Sequence, residues 1–290
     1  MKSKIVMAIV ILFLATGVKA QKVFTNLKDA QAVAIATNKP ILLVVWKTGK
    51  EVDKFANILW KEEPEIKELL ENFVVLELLG DNFYSKDYQS IRVQNNFAII
   101  GNVLDAIGNV IGNVRYSPLK YEKSNRRLNN FRFSLKENSL EMSLFQEEYR
   151  AIVSTNSVSD KVFLIEKYLN YSLYLKNEES KRNFIYVAGK YIKEIQKENK
   201  EGNALPADMK QRFRLLDFYN RILNKKYKRA AKSLNKMELS SLEESNKSFF
   251  YYISYLANNK AKKKEIAKTW FYKLKTRSDF NFYYLMSRKF

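Results

Sequence analysis

The 290-residue chain contains neither Cys nor His. That removes thiolate nucleophiles, zinc-thiolate sites, dithiol redox chemistry and every triad built on an imidazole base. Carboxylate, Lys, Ser and Tyr chemistry remains. The carboxylate clusters are Glu62-Glu63-x-Glu65, Glu147-Glu148, Glu178-Glu179 and Glu243-Glu244. Adjacent helical residues do not share a face, so these read as helix surface or as compensation of helix N-terminal dipoles rather than as an acid–base pair. Asp81 ends an expected strand but has no identifiable partner. Gly101-Asn102-Val103, Gly108-Asn109-Val110 and Gly112-Asn113-Val114 repeat one tripeptide. They lack the Lys-Ser/Thr or GxGxxG context of a phosphate loop and read as strand turns and bulges where Gly and Asn accept positive φ. No metal and no cofactor are expected.

Cations supply the stronger signal. The chain carries 51 Lys plus Arg against 31 Asp plus Glu. Residues 22–134 have a net charge of +3 and residues 135–290 one of +14, of which +13 lies in residues 221–290. Lys225, Lys226, Lys228, Arg229, Lys262, Lys263 and Lys264 form the candidate basic binding face. Aromatics interleave with cations here, as at Trp270-Phe271-Tyr272-Lys273, which is how single strands of nucleic acid are often held. Phe249, Tyr252, Ile253 and Leu256 recur at helical spacing, however, and such stripes are core, so nucleic acid is disfavoured.

The elements that position these residues fall into three stretches. Lys2 and Lys4, the apolar run Ile5 to Leu14 and Val18-Lys19-Ala20 form a secretory signal peptide over residues 1–20. Cleavage after Ala20 leaves a chain of net charge +17 without a transmembrane span, exported to the periplasm or beyond. Residues 21–134 then read as α/β: a helix at Leu27–Thr37 stopped by Asn38-Lys39-Pro40, a buried strand at Ile41–Trp46, a helical stretch from Glu51 to Glu71 broken at Pro64, and a second buried strand at Phe73–Leu79. Residues 135–290 read as all-α hairpins, a bundle or solenoid, with helices near 136–153, 159–177, 180–198, 207–224, 226–237, 240–258, 261–275 and 279–288. No clean 34-residue repeat recurs.

The run KPILLVVW-KTGK-EVDKFANILWKEEPEIKELLENFVVLELLGD resembles the thioredoxin-like proteins of bacterial envelopes. There a Lys-Pro-led strand ending in an aromatic residue precedes an active-site loop, a helix and an Asn-Phe-Val strand. Phe97 to Gly108 is similar to that family's next strand, closed by an Asp-x-x-Gly turn at Asp105 to Gly108. The resemblance covers residues 22–116 and implies a thioredoxin-like fold. In the family, a Trp-Cys-x-x-Cys sequence and a cis-proline make the redox site. Here Trp46 is followed by Lys47, Thr48, Gly49 and Lys50, and Ile99 falls near the proline's place, so the loop is degenerate and thiol–disulfide exchange is excluded.

The sequence therefore points to binding more than to catalysis: an exported, redox-inactive thioredoxin-like scaffold with a basic helical domain that engages a protein partner in the cell envelope. Two alternatives stand beside it, a hydrolase using carboxylate or Ser/Lys chemistry and a module that binds anionic polymer or lipid through residues 221–290.

Overall fold

A computed structural model describes residues 22–46, 64–79, 99–115, 129, 132–139, 157–200 and 205–288. The first part is a mixed sheet with strands β1 (Val23–Phe24), β2 (Ile41–Trp46), β3 (Val74–Leu79), β4 (Ile99–Leu104) and β5 (Val110–Arg115), ordered β1-β3-β2-β4-β5. β1, β3 and β2 run parallel, whereas β4 is antiparallel to β2 and to β5. Helix α1 (Leu27–Thr37) connects β1 to β2. Asn26 caps its N-terminus by accepting the N–H groups of Lys28 and Asp29, and Asn38 ends it in the left-handed region at φ 56°. Helix α2 (Pro64–Leu70) precedes β3, and Pro64 takes the first-turn position that the sequence assigns to it. β2 is buried from Ile41 to Val45, as an unbroken apolar run covered on both faces requires.

The Gly-Asn-Val repeats are not mainly turns. Gly101 and Gly112 lie inside β4 and β5, and only Gly108, at φ 91°, occupies a turn. A Cβ on Gly101 would sit 3.1 Å from Val114 across the hairpin, and one on Gly112 would collide with Asn138 Oδ1 in a helical segment at 132–139. These glycines allow close approach rather than supplying positive φ. A register shift at Val103/Leu104 puts one bulge in the hairpin, as expected of the stretch.

The second part is helical: α3 (Val158–Tyr171), α4 (Glu178–Lys200), α5 (Ala207–Leu223), α6 (Tyr227–Leu234), α7 (Glu244–Lys260), α8 (Lys264–Lys275) and α9 (Phe280–Arg288). Ser157 and Asp160 form a reciprocal capping box at α3. The helix expected over 159–177 ends early because residues 172–174 turn and Asn177 caps α4, accepting from Glu179 N at 2.9 Å and Ser180 N at 3.2 Å. The helix expected over 226–237 is shorter and stops at Leu234, and that expected from 240 splits into a 3₁₀ turn at Leu239–Ser241 followed by α7. Residues 140–156 and 201–204 lie outside the described residues.

The helices stack as a solenoid. The first members of successive hairpins pack in series, α3 on α5, α5 on α7 and α7 on α9, while α4 packs on α5 and α6 on α7. α5 and α7, and likewise the starts of α6 and α8, are offset by 37 residues. Leu205 and Leu242, Phe213 and Phe250, and Ala230 and Ala267 occupy equivalent buried places at that spacing. Arg212 on α5 clamps the stack: its Nε donates to Glu166 of α3 at 2.9 Å, and its guanidinium lies 4.1 Å from the ring centroid of Phe249 on α7. One hydrophobic core runs from the sheet into the stack.

Because Asn138 Nδ2 is held by the carbonyls of Ser134 (2.8 Å) and Asn113 (3.2 Å), its side chain cannot yield freely to a methyl at residue 112. Gly112→Ala is expected to lower the unfolding free energy by about 1–3 kcal/mol in urea titration. An unchanged midpoint would show that the helical segment does not seat tightly on β5.

Candidate functional site

Three places in the fold carry groups that could act. The first is the end of β2, which leads into the stretch Lys47 to Lys50. Trp46 is the last residue of β2, paired with Leu79 on one side and Ile99 on the other. Ile99 thus lies directly across the sheet from Trp46. Lys47, Thr48, Gly49 and Lys50 lie outside the described residues, as do Asp81, Glu62, Glu63, Glu147 and Glu148.

The second lies at the opposite end of the same strands, about 17 Å away for six residues of β-structure. Asp105 follows β4, whose last residue Leu104 pairs with Ile41 at the start of β2. The hairpin turn expected at Asp105 to Gly108 forms, and the Asp105 carboxylate organises it: Oδ1 accepts from the N–H of Ile107 (3.0 Å) and of Asn109 (2.8 Å). Oδ2 accepts from Asn109 Nδ2 at 2.9 Å and from the Tyr168 hydroxyl of α3. Asn109 Nδ2 also donates to the Tyr191 hydroxyl of α4 at 3.1 Å. Asp105 is fully buried. Burial pushes its pKa above the ordinary carboxylate value, against the hydrogen bonds from Tyr168 and Asn109 that favour the charged form. This fully buried hub joins the sheet to two helices. Sequence spacing could not reveal it, since Tyr168 and Tyr191 are remote in the chain and carry no motif.

The third is a shallow groove of about 400 Å³ lined by Lys225, Lys226, Tyr227, Lys228, Arg229 and Lys260. Four of the predicted basic-face residues therefore converge, joined by Lys260, whereas Lys262, Lys263 and Lys264 lie just beyond, in the turn after α7 and at the start of α8. No carboxylate lines the groove among the described residues. Ion pairs join Lys161 to Glu198, Arg221 to Asp217, Lys247 to Glu244 at 2.7 Å, and Arg277 to Glu244 at 2.5 Å. The groove also departs from the local rules of helix ends. α3 and α4 begin with capping side chains and acidic first turns, but α6 has Lys226 at its cap, no side-chain cap and no acid in its first turn. Cations at a helix N-terminus oppose the macrodipole, and the same uncapped N–H groups attract an anion.

Lys225 is itself strained. It ends α5 in the left-handed region at φ 61°, and Lys226 N closes the turn on Arg221 O at 2.8 Å. Lys262 repeats this after α7, at φ 63°, with Lys263 N on Asn258 O at 2.9 Å. Such positions favour glycine, and a side chain costs about 1 kcal/mol. The 37-residue echo of Lys225-Lys226 in Lys262-Lys263 was a readable signal for this repeat.

The aromatics largely belong to the core. Phe249, Tyr252, Ile253 and Leu256 are buried as expected, and Trp270 packs edge-on against Phe250 at 5.2 Å and stacks with Tyr251 at 6.0 Å. Glu178 and Glu179 occupy the first turn of α4, and Glu244 that of α7, which is the dipole-compensating role read from the sequence. Among the described residues no carboxylate cluster could hold a metal ion, and no helix is long and apolar enough to cross a membrane.

Tyr168→Phe removes a hydrogen bond to a buried carboxylate and is expected to cost about 1.5–3 kcal/mol by denaturant unfolding. Asp105, with its pKa raised on folding, contributes stability that is full below the ordinary value of 3.8 and is lost as pH rises through the folded value. Asp105→Asn mimics the protonated acid, so wild type should lose stability relative to the variant as pH rises. Wild type that instead gains on the variant as pH rises would show that the ionised form is the favoured one. Neither the family models nor the curated proteins nor the solved structures give a match to this chain.

Proposed function

We propose that the protein is an exported, redox-inactive thioredoxin-like binding module whose helical stack engages an acidic protein partner through the groove at α6. The observation that carries this reading is the convergence of Lys225, Lys226, Lys228, Arg229 and Lys260 around one concavity. The thioredoxin-like part draws support from the order of elements: a Lys-Pro-led strand, a helix, the strand after Asn72-Phe73, and a strand closed by the Asp105–Gly108 turn. Residues 1–20 support export by their charge and apolar pattern. The absence of Cys from the whole sequence fits a scaffold role for the sheet. A concave groove admits a chain, and of the aromatics near the cations Trp270 packs against Phe250 and Tyr251 while Tyr272 stays exposed.

The test is capture from an envelope extract by the full-length protein and by a Lys225→Glu/Lys228→Glu/Arg229→Glu variant whose circular dichroism matches wild type. A protein partner should be retained by wild type, lost by the variant, and released near 1 M salt, where the Debye length falls to about 3 Å. A partner set unchanged by charge reversal overturns the proposal. Reversal-sensitive binding seen only with heparin or anionic vesicles replaces the protein partner with a polymer or lipid.

A further inference from the structure

The groove does not stand alone on its edge of the solenoid. The hairpin turns α3–α4, α5–α6 and α7–α8 join helices whose first members pack in series, which brings their junctions to one edge. In chain order that edge carries Glu178 and Glu179, then Lys225 to Arg229, then Lys260 to Lys264. Lys181, by hydrogen bond and charge, holds the Glu178 carboxylate below its usual range, and Lys225 is close enough to add to that pull. On the other side, Lys260 lines the groove and the chain runs directly on into Lys262, Lys263 and Lys264, all exposed. The edge is therefore mixed in charge at α4, where Lys181 pairs with Glu178, and basic from α6 to α8.

We infer that the groove is one end of a longer track, and that its ligand is an extended acidic polypeptide segment laid across two repeats from α6 towards α8. This rests on the binding role proposed for the groove and adds the shape and reach of the ligand. Packed helices lie about 8–10 Å apart, so equivalent residues of the two repeats, Lys225 and Lys262, present charges at about that spacing. An extended chain rises about 3.3 Å per residue and covers one repeat in about three residues. The two lysines are held in the same left-handed conformation, at φ 61° and 63°, so the second turn reproduces the geometry of the first as well as its charge.

The experiment uses the full chain and fluorescein-labelled oligoglutamates of about four and about twelve residues, roughly 13 and 40 Å when extended. Linking two contacts in one ligand raises affinity by effective concentration, so the longer peptide should bind at least about tenfold tighter. Lys262→Glu/Lys263→Glu/Lys264→Glu should remove that advantage and leave the shorter peptide unchanged, whereas Lys228→Glu/Arg229→Glu should weaken both. Lys262→Gly serves as a second variant that relieves backbone strain while removing a charge. It should keep the wild-type melting temperature or raise it, yet weaken only the longer peptide. If the Lys262 variants leave the longer peptide unaffected, or weaken both peptides alike, the track is refuted and the groove stands. Failure of both peptides to bind wild type, or indifference to Lys228→Glu/Arg229→Glu, overturns the groove and the track together. Tighter competition by single-stranded DNA or by phosphatidylglycerol vesicles than by the longer peptide refutes a polypeptide ligand.

Discussion

The Asp105 carboxylate is the point on which the two halves of the molecule meet. It folds the β4–β5 turn by accepting two backbone N–H groups, and through Tyr168 and Asn109 it ties that turn to α3 and α4. Burying a carboxylate is costly unless its lone pairs are occupied, and here protein donors occupy them. Such an arrangement accepts little variation in the distance between hairpin and helices. The solenoid consequently starts from a fixed seat: α4 rests on β5, α5 rests on α3 and α4, and each later hairpin inherits its placement from the one before. The groove at α6 is two steps along that chain of contacts, so the sheet contributes to the groove by fixing where the stack begins.

The parts of this design that were legible in the sequence are those governed by local rules. A run such as Ile41 to Trp46 can hardly be anything but a buried strand, Asn38-Lys39-Pro40 stops a helix, and Ser157 with Asp160 announces a cap. The cationic convergence at Lys225 to Arg229 was visible because those residues are neighbours in sequence. What was not legible depends on tertiary proximity. Asp105 looked like an ordinary turn residue because Tyr168 and Tyr191 reach it from other helices. Gly101 and Gly112 looked like turn glycines, since spacing does not distinguish a need for positive φ from a need for empty space. The 37-residue repeat is faint in the sequence because only a few positions, among them Leu205/Leu242, Phe213/Phe250 and Ala230/Ala267, retain the same residue.

Strain and charge are placed together at the basic edge. Two lysines occupy backbone positions suited to glycine, and α6 begins with cations where α3 and α4 begin with acids. Each choice opposes folding by a small amount, and local rules are broken in this way where a surface serves something other than stability. Arg212 presents the opposite case. Burial works against its charge, and Glu166, by its own charge and its hydrogen bonds, more than offsets that penalty, so the ion pair acts as an internal clamp.

The sheet has one further property that follows from the seat of the helical segment at 132–139. β5 is an edge strand, and an edge strand ordinarily offers unpaired carbonyls to any extended chain that drifts past. Here the Asn113 carbonyl already accepts from Asn138 Nδ2 at 3.2 Å and Ser134 Oγ at 3.4 Å. Side chains thus act as a plug on that rim. At the other rim β1 is two residues long, too short to template a neighbour. Both rims of the described sheet are thereby poor templates for a passing extended chain.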